Sequence, residues 1–293
     1  MRSVVQVSRF RLKILARFAP AGREKTYALS MLVKQRLAER DGFAVVDVRR
    51  GSAPGGWSEP ETVSSYGVVF VRSGSFRRLS DGVESVVDPT SLYFEAPGRP
   101  ERILHSREGD GRCTAIELAP ELVEPLLHAA LPPGAVPSPP FVDLEHRRLL
   151  ALAHRAPAEI APEQVMTLVA SVVAQAVAVR HAPDSLRRRA VDTVRELLTA
   201  DPRLGLLALA RQVALSPYHL SRIFAAETGQ TISNYRNCLR ARAALERIGE
   251  GEGSFARMAA DLGFSDHAHL TRVVRREAGA PPSTLRELLR FGA

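Results

Sequence analysis

Two periodicities divide this chain. From residue 42 to about residue 119 the apolar positions fall in short β-branched or aromatic segments at 43–49, 66–72, 83–87, 91–95, 102–105 and 113–118. Turn residues separate them: the run Gly51 to Gly56, then Ser73-Gly74, Asp81-Gly82, Pro97-Gly98 and Gly109-Asp110-Gly111. Strands this short and regularly spaced predict a sandwich or small barrel. Asp81-Gly82, between 75–79 and 83–87, predicts a hairpin with a type I′ turn, whose two central residues both need φ > 0. Past residue 120 the period becomes helical. A helix is expected over 120–130, followed by Leu131 to Pro140, too rich in proline for a helix or a central strand. Helices at 143–155 and 162–181 follow, with stripes of Leu144, Leu149 and Leu152, then Val165, Leu168, Val169, Val172, Val173 and Ala176. Ala182-Pro183-Asp184 reads as a hinge, and the remainder as helix.

The helical remainder repeats itself. At an offset of fifty, Ala210 falls on Ala260, Leu220 on Leu270, Arg222 on Arg272, Glu227 on Glu277, Gly229 on Gly279, Ser233 on Ser283 and Arg236 on Arg286. In the first copy a short helix at 203–213 and the turn Ala214-Leu215 lead to Ser216, a cap, and Pro217 at the first helical position, where a missing N–H costs nothing. Leu220, Ile223 and Phe224 make a core stripe, leaving Tyr218, His219, Ser221 and Arg222 on the other side. In the second, 255–261 supports, Leu262-Gly263-Phe264 turns, and Ser265 or Asp266 caps. Leu270, Val273 and Val274 pack, while His267, Ala268, His269, Thr271, Arg272 and Arg275 face away. This is helix-turn-helix logic, twice. Arginine can bind guanine O6 and N7 through two hydrogen bonds, and Thr or Ser can reach a base or phosphate. A solvated helix face needs no such layout, still less the same layout at matching positions.

Leu215-Ser216-Pro217-Tyr218-His219-Leu220-Ser221-Arg222-Ile223-Phe224, Gly229-Gln230-Thr231-Ile232, Tyr235, the run Arg240 to Leu245, and Leu262-Gly263-Phe264-Ser265-Asp266 occur in order. Across about 187–290 the chain resembles the AraC/XylS family of bacterial transcription regulators. The resemblance implies a DNA-binding domain of two helix-turn-helix units joined by a long helix, here 232–248, with recognition helices in successive major-groove segments. Carried over by position, the base-facing residues are Tyr218, Ser221 and Arg222, then His267, Ala268, Thr271 and Arg272. The second unit departs from the family pattern: Leu270, Val274 and Leu285 stand where aromatics are common, and Pro281 where threonine is. The resemblance further implies an α+β chain with a cupin-like sensory β-domain at 42–131 and a helical segment at 141–182 where such proteins often dimerise, while composition marks 1–41 as a basic N-terminal arm. Effector-lining candidates are Tyr66, Phe70, Arg72, Tyr93 and His105, aromatic and polar groups on strands that could face inward; a filled core without ligand is the equal alternative. Trp57 sits in a Gly/Pro-rich loop as a lid or an anchor. The implied partners are double-stranded promoter DNA, a small-molecule effector, a second copy of the chain and RNA polymerase; the sign of regulation, though activators are common in the family, stays open.

Composition narrows this further. The 293 residues suffice for two ordinary cores, and no apolar run reaches the ~20 residues of a membrane span. The net charge of +8, mostly arginine, favours polyanions through counterion release, although an arginine-rich proteome gives the same balance. Cys113 and Cys238 form no CxxC or zinc spacing and read as small buried hydrophobes of a reducing cytoplasm. Residues 1–30 are basic and acid-poor but lack an apolar signal region, so a disordered arm or a start at Met31 is expected. A metal-dependent cupin enzyme would need clustered ligands, and 42–130 holds only His105 and His128. No catalytic motif, metal site or cofactor is expected.

Overall fold

The computed structural model describes residues 5–6, 32–40, 42–50, 56–105, 111–127, 131–176 and 186–291. Its strands are β1 (Val5–Gln6), β2 (Leu32–Arg40), β3 (Phe43–Arg50), β4 (Glu61–Thr62), β5 (Tyr66–Ser73), β6 (Phe76–Ser80), β7 (Val83–Val87), β8 (Ser91–Glu95), β9 (Pro100–His105), β10 (Gly111–Leu118) and β11 (Val136–Pro137). They form two antiparallel sheets, β1-β2-β3-β10-β5-β8-β11 and β4-β9-β6-β7, stacked as a sandwich. Asp81 (φ 47°) and Gly82 (φ 76°) make the expected turn between β6 and β7.

The larger sheet is buried on both faces, which is why its strands read as continuous apolar runs rather than alternating ones. One face, carrying Val46, Val48, Val69, Val71, Cys113 and Ala115, packs on Phe76 and Val87 of the small sheet. The other, carrying Val45, Val68, Phe70, Leu92, Phe94 and Ile116, packs on helices. These are α1 (Pro120–Val123), α2 (Pro140–Arg155) and α3 (Pro162–Ala176). The helix expected over 120–130 is one α-turn followed by a 3-10 turn at Glu124–Leu126, because Pro125 breaks it. The proline-rich stretch contributes only β11, at the sheet edge, where a missing N–H is tolerated.

Residues 32–40, expected within a basic arm, are instead strand β2, paired along its length with β3. Lys34, Arg36, Glu39 and Arg40 obscured it, and three of those charges have partners: Arg36 donates to Glu39 Oε1 (2.8 Å) and to Glu117 Oε2 (2.7 Å), and Arg40 to the Ala158 carbonyl (2.6 Å). The expectations for residues 7–31, for the hinge at 182–184 and for the continuation of α3 past 176 lie outside the described residues. Among the described residues no helix is long and apolar enough to cross a membrane.

The C-terminal helices are α4 (Leu186–Ala200), α5 (Leu206–Gln212), α6 (Pro217–Thr228), α7 (Ile232–Gly249), α8 (Phe255–Asp261), α9 (His267–Ala278) and α10 (Pro282–Leu289). They build two small cores. Val191, Val194, Leu198, Leu209, Leu220, Phe224, Tyr235 and Leu239 make one. Ala244, Leu245, Ile248, Met258, Leu270, Val274, Leu285 and Leu289 make the other. Helix α7 supplies residues to both and is the bar that joins them. The chain is α+β, with the two-sheet sandwich preceding the helical units.

Candidate nucleic-acid interface

Each helical unit presents one helix outward. In the first, Ser216 Oγ accepts from the His219 N–H (3.2 Å), and Gly229 at φ 71° closes α6. In the second, Asp266 rather than Ser265 is the cap: its Oδ1 accepts from the His269 N–H (2.6 Å), and Gly279 at φ 72° closes α9. The bond from His269 is the main reason the Asp266 carboxyl titrates below its usual range. Leu220 and Leu270 are fully buried, and so are Phe224 and Val274 beside them. Leu285 is likewise buried in the second core.

The repeat is real but not gapless. Leu215 N–H bonds to the Ala210 carbonyl, and the matching bond runs from Phe264 N–H to Ala259, an offset of forty-nine. Ala210 and Ala259 are both buried, while Ala260 is exposed. Helices α6 and α9 return to an offset of fifty. The extra residue lies before the second cap, at Ser265. Ala210 therefore corresponds to Ala259, and the coincidence with Ala260 is one of composition.

On the outer faces, Tyr218 is 77% exposed, and Arg222, His267, Ala268 and Arg272 are exposed too. Ser221 and Thr271 are half-buried at their edges. Neither Arg222 nor Arg272 has an ion-pair partner among the described residues, so both guanidiniums are unspent. His269 turns partly inward, its ring edge-on to Phe264 (5.3 Å) and its Nδ1 beside Ser265 Oγ (3.1 Å). His267 stacks at 5.9 Å on Phe255 and stays open on its other side.

The two units are braced against each other. Arg203, in the loop before α5, donates from Nη2 to the carbonyls of Ala260 (3.2 Å) and Asp261 (2.7 Å). Arg240 of α7 donates to the Pro202 carbonyl (2.9 Å) and lies over the Phe264 ring. Both crowd Gly263, where a Cβ would sit 3.1 Å from each and where φ is 74°.

Helix α7 is also clamped to the sandwich, which sequence reasoning missed. Glu246 accepts from Arg72 Nη1 (3.0 Å) and from Arg147 Nη1 (2.9 Å). Arg72 also pairs with Asp47, and Arg147 with Asp143 (2.9 Å). Arg242 lies 3.9 Å from Asp143 and donates to the Pro89 and Ser138 carbonyls. These three arginines and three carboxylates are each at most 5% exposed, and they balance. Burial pushes the Asp143 carboxyl up, but Arg147 and Arg242 outweigh it and hold the group ionised. A second clamp holds the first unit. Asp88 receives Arg195 (2.8 Å) and the Tyr235 hydroxyl, and Arg77 of β6 grips Glu196 through two bonds (2.8 and 2.7 Å).

The effector candidates do not share one cavity. In the larger sheet Val69 faces Tyr93 and Phe70 faces Leu92, so Phe70 points to the helices and Tyr93 into the sandwich. Phe70 stacks on the His146 ring at 4.2 Å, and Arg72 is committed to the clamp. Tyr66 is half-buried on the helix side, against the core there. His105 lies on β9 in the other sheet. Two open clefts lie elsewhere. One of ≈ 240 Å³ lies between the sandwich and the first unit, lined by Thr90, Asp192, Arg195, Gln230 and Tyr235 among others. The other, ≈ 500 Å³, runs between α2 and α3 beside the exposed Phe141. Trp57 is an anchor, bridged to Leu104 and faced by Arg102. Helix α2, expected at a dimer interface, is covered on two sides within the chain: Leu144 packs on the second unit's core and Arg155 donates to the Glu287 carbonyl (3.2 Å).

Residues 209–288 match a family described as a helix-turn-helix domain. The chain is 40% identical over 76 residues to the bifunctional transcriptional activator/DNA repair enzyme Ada of Escherichia coli, a match covering 26% of this chain and 21% of that one. To the regulatory protein ada of Salmonella typhimurium it is 37% identical over 75 residues, covering 24% and 21%. The chain thus spans about a fifth of the length of these relatives. Among solved structures it is similar to ToxT from Vibrio cholerae, at 12% identity over 85% of this chain and 99% of that one, TM-score 0.35. To the AraC-like transcriptional activator CuxR the values are 18% identity, 75% and 81%, and TM-score 0.37. The matched stretch, 209–288, is thus a helix-turn-helix domain, and it runs from α5 to α10 of the C-terminal units.

Proposed function

We propose that this protein is a sequence-specific DNA-binding transcription regulator, whose α6 and α9 read successive major-groove segments of one promoter duplex. The observation that carries the reading is the pair of matched outward faces, each with an unspent arginine at the same helical position, on two units braced by Arg203 and Arg240. Tyr218, Ser221 and Arg222, then His267, Ala268, Thr271 and Arg272, are the proposed base-facing set. The test is selection of bound duplexes from a random pool, followed by titration of the selected site. Affinity should fall linearly in log–log form with salt, by about 0.9 per phosphate contact. Arg222→Ala should cost ~1–3 kcal/mol and relax preference at one base position. Equal loss on selected and random DNA would make Arg222 a phosphate contact instead.

Modulation through the N-terminal unit is part of the proposal. The clamps support it, because any change in the sandwich at Asp47, Arg72 or Asp88 is felt directly by α7 or α4. The cleft beside Thr90 and Asp192 offers a small molecule contact with both the sandwich and the first unit. Repeating the selection with and without cell extract reads such an effector as a change in affinity. A second copy of the chain has the α2–α3 groove left to it, and sedimentation of the purified protein reads that directly.

A further inference from the structure

The face of α7 turned away from the sandwich carries a second charge cluster, and it is not balanced. At 3.6 residues per turn, Arg240 lies about 200° around the helix from Arg242, with Arg236 beside it one turn earlier. Arg203 reaches the same place from the loop before α5: Gly263 has both the Arg203 and the Arg240 side chains in contact range of its missing Cβ. Burial is the main reason Arg240 holds its proton less firmly, and the like charges of Arg236 and Arg203 add to it, with Asp201 opposing. Desolvation alone lowers Arg236. Among the described residues none of the three guanidiniums has a carboxylate within 4.0 Å, unlike those of the clamp; Asp201 bonds only the Arg203 backbone N–H (2.9 Å).

Structure explains part of this and leaves the rest. Arg236 ties the start of α7 to the Leu204 carbonyl (2.7 Å), and in the second unit Arg286 makes the equivalent bond to Gly253 (3.0 Å). At the fifty-residue offset Arg240 has its counterpart in the exposed Arg290, whereas Glu252 stands where the forty-nine-residue offset places Arg203, so only the first unit gathers three arginines. Every side-chain hydrogen bond of the three arginines leaves from Nη2, so Nη1 of each is unoccupied among the described residues. The Nε atoms of Arg236 and Arg240 are buried and unpartnered as well. Three like charges gathered at the seam, each with donors to spare, favour an anion between the units.

We infer that Arg203, Arg236 and Arg240 form a backbone-phosphate site at the seam of the two units, gripping the stretch of duplex between the two major-groove segments. This rests on the proposed DNA-binding reading and adds a sequence-independent contact to it. A guanidinium fork suits a phosphodiester, and a contact at the seam fixes the phase of the two reading helices along one duplex.

The test uses the full chain and two duplexes, the selected site and a scrambled one, with affinity measured across salt. Arg203→Gln and Arg240→Gln should each lower affinity by a similar factor on both duplexes and make the salt slope shallower by about 0.9. Arg203→Lys, which keeps the charge, should retain the slope. A purely structural role moves the midpoint of thermal unfolding and the absolute affinity but leaves the slope of log affinity on log salt at the wild-type value. Unchanged slopes in both Gln variants would overturn the inference while leaving the DNA-binding reading intact. If the wild-type chain itself does not distinguish selected from scrambled duplex, it is that reading which falls.

Discussion

Glu246 is the point at which the buried clamp is most exposed to a single change. It accepts from two arginines of the other elements, Arg72 at 3.0 Å and Arg147 at 2.9 Å, and has a third, the partly exposed Arg112 of β10, at 3.6 Å. With Asp47, Asp143 and Arg242 the fully buried members count three positive and three negative groups, with Arg112 and Arg49 reaching Glu246 and Asp47 from the more exposed rim. Glu246→Gln keeps the shape and removes one negative charge, leaving a net +1 in a site that water does not reach. Breaking a buried pair in this way typically costs ~3–5 kcal/mol, whereas removing both partners is often near neutral. Arg72 retains Asp47 and Arg147 retains Asp143, so the lower end, about 3 kcal/mol, is the expectation for Glu246→Gln. The balanced double variant Glu246→Leu with Arg147→Leu leaves Arg72–Asp47 and Arg242–Asp143 and should recover more than half of that loss. Urea unfolding of the wild type, both singles and the double gives the coupling directly. A Glu246→Gln loss below about 0.5 kcal/mol would mean that the clamp is solvated or opens before unfolding, and the account of α7 as fixed to the sandwich would fail.

Three further outcomes follow from particular residues. Gly263→Ala meets Arg203 and Arg240 at 3.1 Å in a backbone conformation (φ 74°) that alanine disfavours, so it should destabilise by about 1–2 kcal/mol, read by thermal unfolding; an unchanged midpoint would deny the crowding at the seam. His146 is buried, with both ring nitrogens unpartnered, and burial, joined by Arg147, Arg72 and Arg242 against Asp143, pushes its pKa well below the ordinary value. The unfolded chain therefore takes up a proton below about pH 6.5 that the folded chain refuses, and stability falls with falling pH by at most about 1.4 kcal/mol per pH unit. Glu95, raised by burial to about 7, works the other way, gaining stability as pH drops below 7, so the informative quantity is the difference between wild type and His146→Leu across pH 8 to 5. The wild type should lose more; parallel curves would show that His146 is not held neutral. Arg195→Met removes the cation that, against burial, keeps Asp88 ionised, and should uncouple the first unit from the sandwich, seen as faster hydrogen exchange in α4. Unchanged exchange there would place the hold elsewhere.

The recognition units were legible because three local signals agree in them. Caps at Ser216 and Asp266, glycines at 229 and 279, and apolar stripes at helical spacing each reflect short-range physics that a sequence displays directly. The strands of the sandwich were legible for the same reason, through their turns. What local signals cannot carry is which face of a doubly buried strand a residue occupies. Tyr66, Phe70, Arg72 and Tyr93 looked alike as inward candidates, yet the Val69–Tyr93 and Phe70–Leu92 register sends Tyr93 one way and Phe70 with Arg72 the other. Strand β2 failed differently, since its charges read as an arm until Glu117 and the Ala158 carbonyl supplied partners from distant parts of the chain.

The clamp did leave a trace. Asp47 and Arg72 interrupt runs that are otherwise apolar, and a charge on a central strand cannot be left unpaired, so each announces a partner without naming it. On α7 the inward stripe Tyr235, Leu239, Arg242 and Glu246 mixes apolar and charged positions at helical spacing, which a helix packed only within its own two small cores would not need. Matching the unpaired charges of the strands to those of the helix would have joined the sandwich to the bar between the reading heads. The pairing is not unique from sequence, because α7 also carries Arg236 and Arg240 on its other side, and only the helix's rotation decides which arginines meet carboxylates and which are left to meet an anion from outside. That rotation is set by the apolar residues between them, Leu239, Ala241, Ala244 and Leu245, so the packing of two small cores determines the charge that α7 shows to each side.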